Sequence, residues 1–291
     1  WMGLIGSSIA RVIKEKKISE KIYGVDNDKL IIKMTKKLNI VEDIYESIDD
    51  ISFQFDVIFI CTPLSSYRNI FKKLNNFIKE PTLITDVGST KVSVINDYKS
   101  LVNNKKILFL PAHPIAGLEK SGPEHGFAKL FDNRYCIITP LNSKDIFIER
   151  ISNIWKSFGM TIEIMDAERH DRVLAMTSHI PQLIAYSVVG TATELEKQMK
   201  DEVIKYSAAG FRDFTRLAGS DPIMWRDVYE KNKDAVLEML GRFSEDLLTY
   251  QKAIRNNDLN FLEKKFAKSK EIRKIIEEIG QAGTFDPTEK N

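Results

Sequence analysis

Short runs of β-branched and other apolar residues alternate with amphipathic stretches of helical length through the first half of the chain. The strand-like runs are residues 22–25, 57–61, 82–84, 107–110, 135–139 and 161–164. The helical stretches between them are residues 29–38, 67–78, 91–102 and 145–158. Stretches of this length suit the right-handed crossovers that connect parallel strands. The pattern therefore predicts an α/β fold with a doubly wound parallel sheet of the Rossmann type.

The pattern changes after Asp166 to long helical periodicity with almost no strand-like runs. Residues 234–256 and 260–279 are predicted helices, long and heptad-like enough to pack against one another or against a second subunit. We therefore expect an all-helical domain over residues 166–280 that forms a homodimer. Residues 281–291 have no periodic apolar face and are predicted to be disordered.

The composition limits the classes of partner. The 43 lysines and arginines nearly balance the 41 aspartates and glutamates, so no global charge favours a nucleic acid or an anionic membrane. No run approaches the roughly 18 consecutive apolar residues of a membrane helix, and no signal-type segment opens the chain. The two cysteines, Cys61 and Cys136, lie in apolar runs without metal-ligand spacing. We expect a cytoplasmic protein that binds a small molecule and no metal.

A glycine turn and a downstream carboxylate indicate a dinucleotide site. Gly3 and Gly6 flank Leu4 and Ile5 and match the second and third glycines of GxGxxG, after which a helix N-terminus would face the pyrophosphate. Asp26 ends the next apolar run about twenty residues on, where a carboxylate hydrogen-bonds the ribose hydroxyls and repels a 2′-phosphate. The pattern favours NAD over NADP. The alternative is an ordinary strand-to-helix turn, with Asp26 as a helix cap.

The motif departs from the full fingerprint. Trp1 occupies the place of the first glycine, and the strand expected before the motif is absent from the chain. That strand lies centrally in a Rossmann sheet, so its absence would leave ladder groups of the neighbouring strands unpaired. We therefore expect about ten residues, one strand and its lead-in, to be missing before Trp1.

Further polar clusters follow three of the predicted strands, and one lies in the helical half. They are CTP at 61–63, TDVGSTK at 85–91, PAHPIAG at 111–117 and GFRDFTR at 210–216. The order of the motifs resembles the prephenate/arogenate dehydrogenase family over essentially the whole chain. These motifs are GLIGSS, CTP, TDVGSTK, HPIAG, TSHIPQL and GFRDFTRLAGSDPIMWRD. The resemblance implies an NAD domain at residues 1–165, a helical dimerisation and substrate domain at 166–280, and an active site between them.

The resemblance also implies a reaction. In that family a hydride leaves the ring carbon that bears the 4-hydroxyl, the hydroxyl proton is removed, and carbon dioxide departs as the ring aromatises. His113 matches the catalytic histidine that takes this proton, and the pKa of imidazole suits the task. Ser89 matches the serine that shares the hydroxyl contact.

The remaining expected site residues bind substrate or cofactor. Arg216 matches the arginine that binds a substrate carboxylate, for which guanidinium offers a bidentate fork. His179 matches a second active-site histidine near the substrate. Thr62 and Pro63 are expected beside the nicotinamide.

Each of these side chains also has a structural interpretation. His113 is then a turn residue, Ser89 or Thr90 a helix cap, Arg216 a solvated charge and His179 a packed core histidine. We expect His170 and Asp171 to form a solvent-exposed helix cap. His125 is expected to be solvent-exposed in a polar loop. The loop at residues 119–129 is a candidate lid.

The substrate and the reaction class leave alternatives. Prephenate carries a keto acid side chain and arogenate an amino acid, and the motifs are compatible with either or both. A β-hydroxyacid dehydrogenase would need a lysine base in the helical domain, whereas His113 comes from the first domain. A non-catalytic NAD-binding protein is supported only by the imperfect glycine motif.

Overall fold

The protein is described from a computed structural model that covers residues 1–142, 146–194, 201–203 and 205–280. The chain divides into two compact units, residues 1–237 and 238–291. The boundary predicted at residue 165 lies inside the first unit and stays a prediction. The expected disordered tail, residues 281–291, and the predicted helix start at residue 145 lie outside the described residues.

The first part of the chain alternates strands and helices as predicted. In order these are α1 (Leu4–Glu15), β1 (Tyr23–Val25), α2 (Lys29–Leu38), β2 (Asp43–Tyr45), β3 (Val57–Ile60), α3 (Tyr67–Phe77), β4 (Thr82–Asp86), α4 (Val92–Leu101), β5 (Ile107–Leu110), β6 (Ala112–Pro114), β7 (Tyr135–Ile138), α5 (Ile146–Ser157) and β8 (Thr161–Ile164).

The strands form three small sheets. β1 pairs with β2, β3–β4–β5 form a parallel sheet, and β6–β7–β8 form a mixed sheet in which only the β6–β7 pairing is antiparallel. In the Rossmann strand order the first strand lies between the strands that correspond to β1 and β3. In the described part of the chain these two strands belong to separate sheets.

Two short strands were not predicted. β2 is three residues long and begins with an aspartate, and β6 ends on a proline, so neither has the apolar run that marks a strand in the sequence. Both are stabilised by pairing with partners that are distant in sequence, β1 and β7. β6 matters most for the site because it carries His113.

Aromatic side chains fill the core beneath α1. Trp155 and Phe158 of the α5 region pack edge to face at 5.3 Å, and both contact Phe131 and Phe59. Ile9, Val12 and Ile13 of α1 belong to the same buried cluster. This packing holds the first turn of α1 in a defined position.

The described residues after 166 are helical, as predicted. α6 (Ala167–Leu174) continues through a π-helical turn (Ala175–His179) into α7 (Ile180–Thr193), followed by α8 (Ala209–Thr215) and α9 (Pro222–Lys231). By length and composition alone, the run Ala167–Thr193 could cross a membrane, a test that core helices of water-soluble proteins also pass. In this chain the run carries a buried polar network, described below.

The last two described helices are α10 (Lys233–Arg255) and α11 (Leu259–Glu278). Asn257 joins them with a positive φ of 52°, and Asp258 caps α11 by accepting a hydrogen bond from the Phe261 amide. Within the second unit Tyr250 stacks on Phe266 at 6.0 Å.

Candidate active site

A buried ion pair connects the end of β4 to β6. Asp86 Oδ2 accepts hydrogen bonds from Lys91 Nζ at 2.5 Å, from the Tyr67 hydroxyl at 3.0 Å and from the Gly88 amide at 2.9 Å. Lys91 Nζ also donates to the Ala112 carbonyl at 2.7 Å, while Asp86 Oδ1 accepts from the Ala112 amide at 3.0 Å. Burial lowers the pKa of Lys91 and Asp86 opposes this. The pair therefore fixes the backbone immediately before His113.

His113 hydrogen-bonds a second histidine. Its Nδ1 lies 2.9 Å from His170 Nε2, and His170 Nδ1 lies 2.7 Å from Asp171 Oδ1. Asp171 in turn accepts hydrogen bonds from the amides of Lys91 and Val92, at 2.7 and 3.0 Å. Among the described residues none hydrogen-bonds His113 Nε2. Burial lowers the pKa of His113 well below its usual value, and the charges of His170 and Lys91 lower it further.

The expectation that His170 and Asp171 form an exposed helix cap is wrong. Their side chains are buried, with residue exposures of 0% and 3%. α6 is capped instead by Asp166, which accepts from the Arg169 amide. The first amides of α4 are satisfied by Asp171, so neither Ser89 nor Thr90 caps that helix.

Ser89 lies half-buried in the loop after β4, two residues before Lys91. Its hydroxyl has no hydrogen-bond partner in the described part of the chain. The loop is held by the Lys91 amide on Asp171, and Asp171 also holds the histidine pair. The two predicted catalytic residues, Ser89 and His113, are thus tied to the same carboxylate.

His179 is a buried neutral histidine with an unused donor. It is 1% exposed, and burial lowers its pKa to about 4. Asn232 Nδ2 lies 3.1 Å from its Nδ1, which makes Nδ1 the acceptor and leaves the proton on Nε2. That Nε2 and the indole Nε1 of Trp225, whose ring lies 6.0 Å away, are both buried without a partner. Unpartnered buried donors of this kind fit a ligand-binding wall.

Arg216 begins a short 3₁₀ turn, Arg216–Gly219, that rests on α7. Gln182 donates to the Leu217 carbonyl at 2.7 Å, and the Tyr186 hydroxyl donates to the Ser220 carbonyl at 3.1 Å. The guanidinium forms an ion pair with Glu119, and the Arg216 side chain remains partly exposed. Arg216 is therefore a positioned cation beside a carboxylate.

The first turn of α1 fits a dinucleotide. A Cβ on Gly6 would overlap the Trp1 carbonyl oxygen, so only glycine allows this approach of helix and backbone. Gly3 caps α1 with no side-chain hydrogen bond and no acidic residue follows in the first turn, so the amides around Leu4 and Ile5 can face an anion. Thr62, beside Pro63 at the end of β3, has a buried hydroxyl without a partner.

Asp26 follows β1 as predicted, but its carboxylate is already engaged. It is 3% exposed, and it accepts hydrogen bonds from the amides of Met2 at 2.8 Å and Asp28 at 3.0 Å. Each carboxylate oxygen can accept a second hydrogen bond. The predicted contact with the ribose hydroxyls stays a prediction.

The candidate lid, residues 119–129, contacts α1. Arg11 Nη2 donates to the Pro123 carbonyl at 3.3 Å, and the Phe127 amide donates to Ser8 Oγ at 3.1 Å. Gly126 packs so closely on Ser7 and Ser8 that a Cβ there would overlap the Ser7 hydroxyl. Because Glu119 at its start pairs with Arg216, the loop connects the cofactor helix with the predicted substrate arginine. No cluster of metal-ligand type was found among the described residues.

The sequence interpretation missed four residues of this network: Asp86, Lys91, His170 and Asp171. Asp86 and Lys91 stand in the TDVGSTK motif, which was a usable signal. His170 and Asp171 have no comparable signal, because their partners are residues 113 and 91, distant along the chain.

A glycine turn leading into α1, a parallel sheet and a histidine with a free ring nitrogen define the class of nucleotide-dependent dehydrogenases. The chain belongs to the prephenate dehydrogenase family. Residues 9–164 match the family model described as the nucleotide-binding domain of prephenate dehydrogenase, and residues 166–268 match its dimerization domain. These matches confirm the resemblance inferred from the motifs.

Individual relatives agree. The chain is 34% identical to the cyclohexadienyl dehydrogenase of Zymomonas mobilis, over 94% of this chain and 92% of that protein. It is 32% identical to the prephenate dehydrogenase of Bacillus subtilis, over 94% and 73% of the two chains. A crystal structure of prephenate dehydrogenase from A. aeolicus with hydroxyphenyl propionate and NAD⁺ superposes with a TM-score of 0.85 at 31% identity, covering 93% and 96%.

Proposed function

We propose that this protein oxidatively decarboxylates prephenate with NAD to 4-hydroxyphenylpyruvate, a step toward tyrosine. The observation that carries the proposal is the His113 ring, whose Nδ1 is bonded to His170 while Nε2 is left free of other described residues. A neutral imidazole with one bonded and one free nitrogen is the arrangement of a general base.

The base acts on the 4-hydroxyl of the substrate. Nε2 of His113 accepts the hydroxyl proton, and Ser89, whose own hydroxyl is free, orients the same oxygen by a hydrogen bond. The lowered pKa of His113 keeps the ring neutral at physiological pH and so ready to accept. Bound NAD supplies the hydride acceptor, and aromatisation drives loss of carbon dioxide.

Two residues hold the substrate in place. Arg216 binds a carboxylate through its planar guanidinium, and His179 donates from its unused Nε2. Gly3, Leu4, Ile5 and Gly6 hold the pyrophosphate, Thr62 and Pro63 border the nicotinamide, and Asp26 selects NAD through the ribose. The carboxylate of Asp26 disfavours the 2′-phosphate of NADP.

Arogenate is a second candidate substrate, favoured by the Arg216–Glu119 ion pair and by the 34% identical cyclohexadienyl dehydrogenase. An amino acid side chain offers a carboxylate to Arg216 and an ammonium to Glu119, whereas a keto acid offers only the carboxylate. The ion pair is therefore suited to the two charges of the amino acid side chain of arogenate.

The test is NADH formation from NAD with prephenate and, separately, with arogenate, using the wild-type protein and His113→Asn. We expect turnover with at least one substrate, and for His113→Asn a loss of kcat of about 100-fold or more, because an amide cannot take the proton. His125→Asn is the matched control, since His125 lies outside the hydrogen-bond network of the site. No NADH from either substrate, or normal turnover by His113→Asn, would overturn the proposal.

We also propose that two chains associate through the helical part, in line with the match to a dimerization domain. The free cysteines Cys61 and Cys136 are compatible with the reducing cytoplasm, where such a biosynthetic enzyme would act.

A further inference from the structure

Two buried polar residues behind His113 have no contact with substrate or cofactor in the mechanism above. His170 and Asp171 lie in the second turn of α6, with exposures of 0% and 3%, and they do not cap their own helix. Burying a charged or polar side chain has a free-energy cost unless it is fully hydrogen-bonded. Their bonds therefore indicate what they do.

The bonds run in one line from Asp171 through His170 to His113. Asp171 Oδ1 is 2.7 Å from His170 Nδ1, and His170 Nε2 is 2.9 Å from His113 Nδ1. The two imidazole rings are inclined at 64° with centroids 5.1 Å apart, so they meet through their nitrogens and are not stacked.

The direction of donation follows from Asp171. Its two oxygens accept from the amides of Lys91 and Val92, which stabilise the ionised carboxylate. A carboxylate only accepts, so His170 Nδ1 carries a proton and donates. A neutral His170 then has a lone pair on Nε2, to which His113 Nδ1 must donate. His113 is left with its lone pair on Nε2, the nitrogen that the proposed reaction uses.

We propose that His170 and Asp171 are positioning residues that fix the ring tautomer of His113, so that Nε2 is its proton acceptor. This inference rests on the proposed function for the identity of the base, but the tautomer itself can be observed without any reaction.

The surrounding charges favour this arrangement. Burial lowers the pKa of His170, Lys91 lowers it further, and Asp171 and Asp86 oppose the shift. His170 is thus neutral near pH 7. A cationic His170 would also carry a proton on Nε2 and donate it to His113 Nδ1. The proton of neutral His113 would then lie on His113 Nε2. His179, which also acts on His113, is neutral near pH 7 because burial lowers its pKa to about 4.

A purely structural role would leave the tautomer unspecified. Asp171 already joins α6 to the start of α4 through two backbone amides, and it does not need His170 for that purpose. The side chain of His170 adds only the link to His113. The experiment must therefore read out the tautomer of His113 as well as stability.

The decisive variant is His170→Leu. It removes both imidazole nitrogens, so His113 Nδ1 loses the acceptor that holds the proton on that atom, and the proton is expected on Nε2. We expect kcat at pH 7 to fall by about tenfold or more, the usual cost of removing a hydrogen-bond partner that orients a functional histidine, with KM changed far less. Asp171→Ala, which removes the acceptor of His170 Nδ1, should also lower kcat. His125→Leu, the same change at a histidine outside this network, should not.

¹⁵N NMR of the histidine rings gives the readout that does not depend on turnover. The chain has four histidines, so single substitutions assign them. We expect an unprotonated Nε2 on His113 in the wild type and a protonated Nε2 in His170→Leu. A protonated Nε2 in the wild type, or wild-type kcat in His170→Leu, would overturn the inference. The expected tautomers with no turnover of either substrate would overturn the proposed function and leave this inference standing.

Discussion

At the scale of single residues, the site contains two kinds of group. Some are neutral because they are buried, and others are charged and paired. His113 and His179 are kept neutral by burial, whereas Lys91 and Asp86 form a fully buried ion pair. A neutral base and a positioned cation suit a reaction that removes one proton from an anionic substrate.

The low pKa of His113 predicts the acid limb of the pH profile. A base works only when unprotonated, so kcat/KM should rise with pH through the pKa of His113 and stay level above it. Because burial and the charges of His170 and Lys91 hold that pKa well below the usual 6.5, activity should persist below pH 6.5. The measurement is kcat/KM from about pH 5 to about pH 9 with saturating NAD. If kcat/KM already falls between about pH 9 and about pH 7 as the pH is lowered, a group other than His113 is the base.

Glu119 should distinguish the two candidate substrates. Glu119→Gln removes the carboxylate beside Arg216 but keeps the shape of the side chain. If an ammonium binds there, KM for arogenate should rise about tenfold or more while KM for prephenate changes little or falls, since a charge-assisted hydrogen bond contributes about 1.5–3 kcal/mol. Steady-state kinetics with each substrate measure this.

Glu124→Gln is the matched control, because that glutamate lies in the same loop and its pairing is with His125, at 3.9 Å. Equal changes in KM for both substrates in Glu119→Gln would show that Glu119 does not distinguish the amino acid side chain of arogenate from the keto acid side chain of prephenate.

At the scale of elements, the Lys91–Asp86 pair joins the loop after β4 to β6. Lys91→Met would leave the Asp86 carboxylate buried without its cation, so the free energy of unfolding should fall by about 3–5 kcal/mol. Lys73→Met removes the cation of an exposed pair with Asp49 and should change the free energy of unfolding far less. Urea unfolding followed by tryptophan fluorescence, to which buried Trp155 contributes, measures both. Similar losses for the two variants would mean that burial does not govern the strength of the pair.

The elements themselves were largely predictable from local pattern. α2 has its predicted bounds, and α3, α4, α10 and α11 end within a residue of theirs, since amphipathic periodicity is a local property. β6 was missed because it depends on pairing with β7. The histidine pair was missed for the same kind of reason, as its two members are 57 residues apart in sequence.

Motif resemblance supplied what periodicity could not. His113, Ser89, His179 and Arg216 were chosen because they stand in family motifs, and the structure gives each of them either a free polar atom or a charged partner. The positioning residues behind His113 lie outside those motifs, so only coordinates identify them.

At the scale of the whole molecule, the His113–His170 bond connects the two halves that the sequence pattern separates at residue 165. A strand of the α/β part carries one ring, and a helix of the helical part carries the other. The proposed base and its positioning residues therefore come from both parts of the chain.

The second compact unit exposes many large apolar side chains. On α10, on α11 and at the C-terminal cap of α11 these are Leu247, Leu248, Ile254, Leu259, Phe266, Ile272, Ile275 and Ile279. Phe266, for example, is 58% exposed although it stacks on Tyr250. Exposed apolar area of this extent on a folded protein usually marks an interface, and a second copy of the chain is the partner that the dimerization-domain match suggests.

Charges placed on this surface should therefore dissociate the dimer. Light scattering after size exclusion should give the wild type a mass of about twice 33.4 kDa, and Leu248→Glu combined with Ile272→Glu should give a mass near the monomer, because a buried unpaired charge destabilises an interface. Lys268→Glu, at an exposed polar position of α11, should remain dimeric. Circular dichroism checks that the helices persist in every variant. A monomeric wild type, or a doubly substituted protein that keeps the dimer mass at low micromolar concentration, would exclude these helices as the interface.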